Sequence, residues 1–233
     1  MANKKIMIIT FIVLFIAISS SLYALATKKD SVSDEPNKLI ENAFSELKGQ
    51  TNSISKDNYV VTAGDIQISK AEFQFYKVNI KLIYQLNETL DNPSNKTNSI
   101  PSDQELIDEM LKKRLSVKQA KNSGITVGKD EVEKVINREK NMLHRDDLDE
   151  QNQALIKEIM NQRINITGLS EEDFWKSDLV FKEYENVLYI DKLYNKLITE
   201  KEISDIHDFE KFQNHLLEQY KNDYGINLDN LNG

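Results

Sequence analysis

The chain has 233 residues, with 30 Lys and Arg against 38 Asp and Glu, a net charge of −8. That excess of acid argues against a nucleic-acid partner, because phosphate binding draws on clustered Lys and Arg. Only seven Gly and three Pro occur, which suits helices and disfavours a sandwich or a many-turned barrel. The absence of cysteine excludes disulfides, thiolate metal sites, cysteine nucleophiles and lipid attachment at a lipoprotein cysteine.

Lys4 and Lys5 precede an uninterrupted apolar run from Ile6 to Ile18, followed by Ser19-Ser20-Ser21 and Ala24-Leu25-Ala26. This is the order of a secretory signal peptide, with cleavage expected after Ala26. The 21 residues from Ile6 to Ala26 would also make about 30 Å of helix, enough for a retained membrane anchor. Either way the remainder lies outside the cytoplasm, since the two lysines stay inside. Without residues 1–26, 28 basic and 38 acidic residues remain, a net charge of −10.

Residues 27–57 read as a polar linker rich in Ser, Asn, Asp and Lys. Leu39, Ile40, Ala43, Phe44 and Leu47 recur there at helical spacing, so a short helix is possible, with a loose tether favoured. Residues 58–233 then read as one helical domain. It opens on two short strands, Val60-Val61 and Ile66–Ile68, around a turn led by Gly64-Asp65.

Helix starts are marked by a hydroxyl followed three residues later by a carboxylate: Ser69 with Glu72, Ser102 with Glu105, Ser170 with Asp173. A weaker start lies at Gly128 with Glu131. The predicted helices cover about 69–90, 103–122, 129–143, 150–162, 171–199 and 208–222. In the first, Phe73, Tyr76, Ile80, Ile83 and Leu90 form the predicted core stripe, widened by Phe75, Leu82 and Leu86. Residues 91–103 read as a loop, and "YGINLDN", 224–230, as a short strand.

The order "VVTAGDIQISKAEFQFYK", "SDQELIDEMLKKRLSVKQAKNSGITVGKDEVEKVI", "GLSEEDFWKSDLVFKEYENVLYIDKLYNKL" resembles the N-terminal chaperone region of the SurA/PrsA-type extracytoplasmic foldases, itself related to the chaperone part of trigger factor. The resemblance covers about 59–200, with a weaker echo in 208–228. It implies a multi-helix fold with a small β element, in which a strand at 224–230 pairs with Tyr59–Thr62 and closes the body on itself. Such a pairing would also cover a hairpin edge that is marginal alone. The chain departs from the family in two ways. Ala63-Gly64 stands where Asn-Gly is usual, and between Asn195 and Asp208 there is no room for the parvulin prolyl-isomerase domain. The catalytic part is therefore expected to be absent.

No nucleophile elbow, phosphate loop or dinucleotide fingerprint appears, so no enzyme activity and no cofactor are expected. His144, His207 and His215 form no ligand pair, and "HRDDLDE", 144–150, lacks the central Gly of a calcium loop, so no metal is expected. Most aromatics on the long helices are expected to be core. Phe174 and Trp175 are neighbours in sequence and point about 100° apart on a helix, so one of them is expected on a binding surface. Trp175, with Phe75 and Tyr189, is the candidate peptide-binding set. The expected function is an extracytoplasmic chaperone or holdase that binds unfolded or exported polypeptides, secreted or membrane-anchored, in a bacterium of the Gram-positive type. The alternative is a non-enzymatic structural or regulatory partner-binding protein of the cell envelope or spore.

Overall fold

A computed structural model describes residues 35–51, 58–89, 99–142 and 150–225. The segment at 6–26, the "HRDDLD" residues 144–149 and residues 226–230 of the predicted terminal strand lie outside the described residues. In chain order the elements are α1 (Glu35–Thr51), β1 (Tyr59–Ala63), β2 (Ile66–Ser69), α2 (Lys70–Thr89), α3 (Asp103–Asn122), α4 (Lys129–Met142), α5 (Glu150–Thr167), α6 (Glu171–Trp175), α7 (Asp178–Glu200) and α8 (Ile206–Tyr224). The protein is mainly α-helical with one small antiparallel hairpin, the fold class expected from composition and periodicity. No helix among the described residues is long and apolar enough to cross a membrane.

The caps form as the sequence patterns require. Ser102 accepts from the Glu105 N–H at 3.3 Å while the Glu105 carboxylate accepts from the Ser102 N–H at 2.7 Å, a complete capping box. The Ser170 hydroxyl accepts from the Asp173 N–H, and the Glu131 carboxylate reaches back to the Gly128 N–H. At Ser69 only half of the box closes: its hydroxyl accepts from the Glu72 N–H, but the Glu72 carboxylate pairs with Arg114 instead.

The described residues group into two compact units. The first unit contains α1, the part of α2 from Val78, α4, α5, α6 and α7 up to Glu185. The second contains the hairpin, the start of α2, α3, α7 from Asn186, and α8.

In the first unit, α1 packs on α5 through Ile40, Phe44 and Leu47, all 2% exposed or less. Their spacing of four and three residues puts them on one stripe, and burying each contributes roughly 1.5–3 kcal/mol. The favoured tether is therefore a docked helix over this stretch. The predicted helix 171–199 is two helices. The Ser177 hydroxyl donates to the Phe174 carbonyl and accepts from the Val180 N–H at 3.3 Å, ending α6 and capping α7. Of the predicted α2 stripe, Phe73, Leu82 and Leu86 are buried, joined by Val78, while Phe75, Tyr76, Ile80 and Ile83 are half-buried.

In the second unit, α8 lies along α3. A buried Ser116 hydroxyl accepts from Gln213 at 2.9 Å, and Lys221 pairs with Asp108 at 2.9 Å. The hairpin pairs Ala63 with Ile66 and Val61 with Ile68, with a bulge at Val60. Its buried face is Val61, Ala63, Ile66 and Ile68.

Both α3 and α7 end in the same motif, with two N–H groups folding back on the last turn. After α3 the Gly124 N–H reaches the Lys121 carbonyl and the Ile125 N–H reaches Ala120, with Gly124 at φ 74°. After α7 the pattern repeats, from Lys201 to Ile198 and from Glu202 to Leu197, but the left-handed position is held by a lysine at φ 61°. Lys201→Gly is expected to stabilise the protein by about 0.5–1 kcal/mol, the left-handed penalty less glycine's extra chain freedom. A higher urea midpoint at unchanged denaturant slope is the readout.

Candidate functional site

Trp175 is not on a surface. It is 6% exposed, and its ring meets Phe174 edge to face with centroids 5.6 Å apart. The rule that adjacent helical residues diverge holds, but a five-residue helix lies deep enough to bury both directions. The Trp175 Nε1 finds no acceptor among the described residues. Tyr189 is buried too, its ring covered by the Lys121 ammonium 4.8 Å from the centroid. Phe75 is half-buried. Trp175 belongs to the first unit, and Phe75 and Tyr189 to the second.

Large apolar exposure occurs elsewhere. In the second unit it falls on Tyr59, 41% exposed at the start of β1, and Tyr224, 48% exposed at the end of α8. Tyr224 is helical, whereas the sequence suggests it begins a strand; Gly225 follows it as a left-handed cap at φ 63°. α8 nonetheless meets the hairpin. The Tyr220 hydroxyl donates to the Ala63 carbonyl, and the Tyr224 ring lies over Gly64. Tyr220 and Tyr224 have ring centroids 4.7 Å apart. On the other central turn residue, Asp65 pairs with Lys118 of α3 at 2.7 Å. Lys118 holds the Asp65 carboxyl below the usual carboxylate range.

Gly64 has φ 52° and Asp65 has no positive φ, so only the first central position is left-handed, the pattern of a type II′ hairpin. Because Ala63 and Ile66 flank the turn as a bonded pair, the N–H and C=O of Thr62 and Gln67 point outward along the two edges. They have no backbone partner among the described residues. The hairpin is thus a short open-edged sheet on a base of α3 and α8, with exposed Tyr59, Thr62 and Gln67 on its outer face. The strands and Gly64 are legible in the sequence, but the exposure of Tyr59 and Tyr224 is not: each stands at an element's end, and Tyr224 continues the buried stripe of Leu217 and Tyr220 at helical spacing, so it reads as core.

The first unit holds a second feature. Asn79 of α2, Glu139 of α4, Arg163 of α5 and Tyr184 of α7 are polar side chains 1–6% exposed. The Arg163 Nη2 donates to the Asn79 Oδ1 at 2.8 Å, and burial pushes the Arg163 guanidinium down to about 10, so it stays charged at neutral pH. Tyr184 is pushed up by burial first and by the Glu139 charge second.

A shallow depression of about 420 Å³ sits at the α7–α8 connection, lined by Ile198, Lys201, Glu202, Ile203, Ser204 and Asp208. Asp205 caps α8 there, its side chain accepting from the Asp208 N–H at 3.0 Å, and the Asp208 carboxylate accepts from the Ser204 hydroxyl and from Lys211, which bring it down to about 2. Among the described residues no group of three or more His, Asp or Glu is arranged to hold a metal. Comparison with models of known protein families, with curated proteins and with solved structures gives no match.

Two outcomes test this description. Trp175→Ala is expected to cost about 3–5 kcal/mol as a core truncation, seen as a lower melting temperature. Gly64→Ala is expected to cost at least about 1 kcal/mol. A Cβ there would stand 2.5 Å from the Tyr224 ring. Placing it in a Tyr224→Ala background should recover the clash component and leave the cost of positive φ, measured as a double-mutant cycle.

Proposed function

We propose that this chain is an extracytoplasmic, non-enzymatic holdase of the SurA/PrsA type, which binds unfolded or exported polypeptides and lacks a catalytic domain. It works outside the cytoplasm, carried there by residues 6–26 as a cleaved signal or a retained anchor. The observation that supports this reading is the open-edged hairpin, clamped at its turn by α8 and α3 and carrying Tyr59 exposed beside it. An extended segment can add its own backbone to such an edge, where main-chain bonds give affinity without demanding a sequence. Tyr59 offers apolar contact at little loss of side-chain freedom. Affinity per segment is expected to be weak, because the captured chain must order on binding.

The burial of Trp175 and Tyr189 favours a second reading, a structural or regulatory partner-binding protein of the cell envelope or spore. With those rings in the cores, little aromatic surface remains for promiscuous capture. The two readings separate in one assay. A holdase suppresses aggregation of several unrelated denatured proteins at near-stoichiometric ratio, and Tyr59→Ala weakens this while leaving the melting temperature unchanged. No suppression, together with a single specific partner on pull-down, selects the second reading. Acceleration of proline-limited refolding would overturn both.

A further inference from the structure

Along α4 the buried positions are Val132, Ile136 and then Glu139, a spacing of four and three that marks one core-facing stripe. A carboxyl therefore occupies a position where the pattern calls for an apolar side chain. It is 6% exposed. Its support comes from one side only. Arg138 donates to Oε1 twice, from Nε at 3.1 Å and from Nη2 at 2.8 Å, and no donor to Oε2 occurs among the described residues. The Arg138 side chain is 45% exposed, so its charge is shared with solvent. The groups gathered at this junction from the other helices are the Tyr184 hydroxyl of α7, the Arg163 guanidinium of α5 and the neutral Asn79 of α2. Tyr184 feels the charges of Glu139, Arg163 and Arg138 together.

We propose that Glu139 makes the first unit a proton-responsive body, firmer when this carboxyl is neutral than when it is charged. An ionised carboxylate at a core position only 6% exposed, paired through one oxygen to a partner shared with solvent, is destabilising, and adding a proton removes that burden while supplying a donor. Burial raises the Glu139 carboxyl above its ordinary value, with Arg138 opposing more weakly. For a raised acid, the stabilisation is fully present below the ordinary value of 4.5 and is lost as pH rises through the raised one. The carboxylates held low by partners, Glu172 in this unit and Asp65, Glu105 and Asp208 in the other, titrate below this window and act in the opposite sense there.

Trp175, the chain's sole tryptophan, is buried in the same unit and reports its unfolding separately from the helical signal of the whole. Urea unfolding of the full chain in mild detergent, followed by Trp175 emission, should show a midpoint that rises from pH 7.5 to pH 5. One proton changes the folded-to-unfolded ratio by at most about tenfold per pH unit. In Glu139→Gln the midpoint should be higher than wild type at pH 7.5, and the gap should close toward pH 5. Taking the difference between the two proteins cancels the histidines and Asp191. Parallel profiles for the two would overturn the proposal. If Glu139→Gln does not fold, carbon-detected titration of the Glu139 carboxyl in the wild type decides: a midpoint above 4.5 supports the proposal, and one at or below it overturns it.

Discussion

The second unit depends on a bond between residues 157 apart in the chain, the Tyr220 hydroxyl donating to the Ala63 carbonyl. A two-stranded hairpin is marginal in water, because its few ladder bonds scarcely offset the ordering of two strands. Here the turn is gripped from two sides, by Tyr220 and Tyr224 of α8 and by Lys118 of α3. Gly64 is what lets the grip close, since a side chain at that backbone angle would strain the turn and enter the Tyr224 ring. Fixing the turn fixes the register of Val61, Ala63, Ile66 and Ile68, whose burial then secures the hairpin on its base. An edge fixed in this way would lower the entropy lost on pairing with another backbone, as the proposed function requires.

The first unit obeys a different constraint. Its helices place Glu139 and Arg163 where aliphatic residues would pack, Glu139 after Val132 and Ile136, Arg163 after Leu155 and Ile159. Polar groups at core positions resist sliding or rotation of a helix, because each small displacement leaves a donor or acceptor unserved. The bond from Arg163 to Asn79 ties α5 to α2 in this way.

Features governed by neighbours within four residues were legible in the sequence. Ser102 with Glu105 places the start of α3, and Ser170 with Asp173 that of α6, because a cap needs only its own first turn. Gly64 announced the hairpin for the same reason. The break between α6 and α7 was not legible, since Ser177 reads as an ordinary polar helix residue until its hydroxyl is seen bonding backbone on both sides. Exposure proved harder still. Trp175 and Tyr189 needed knowledge of what covers them, a neighbouring ring in one case and the Lys121 ammonium in the other. Tyr59 and Tyr224 needed the reverse, since no periodic pattern marks an aromatic left bare at an element's end.

The roof over Tyr189 is a reactive amine. Lys121 is exposed, so reagents that acylate surface amines reach it readily. An amide in place of the ammonium withdraws the charge that holds the side chain across the ring. Chemical labelling meant to map the outside of this protein would therefore unroof one of its buried phenols, and iodination or cross-linking footprints taken afterwards would describe a surface that the labelling itself had made.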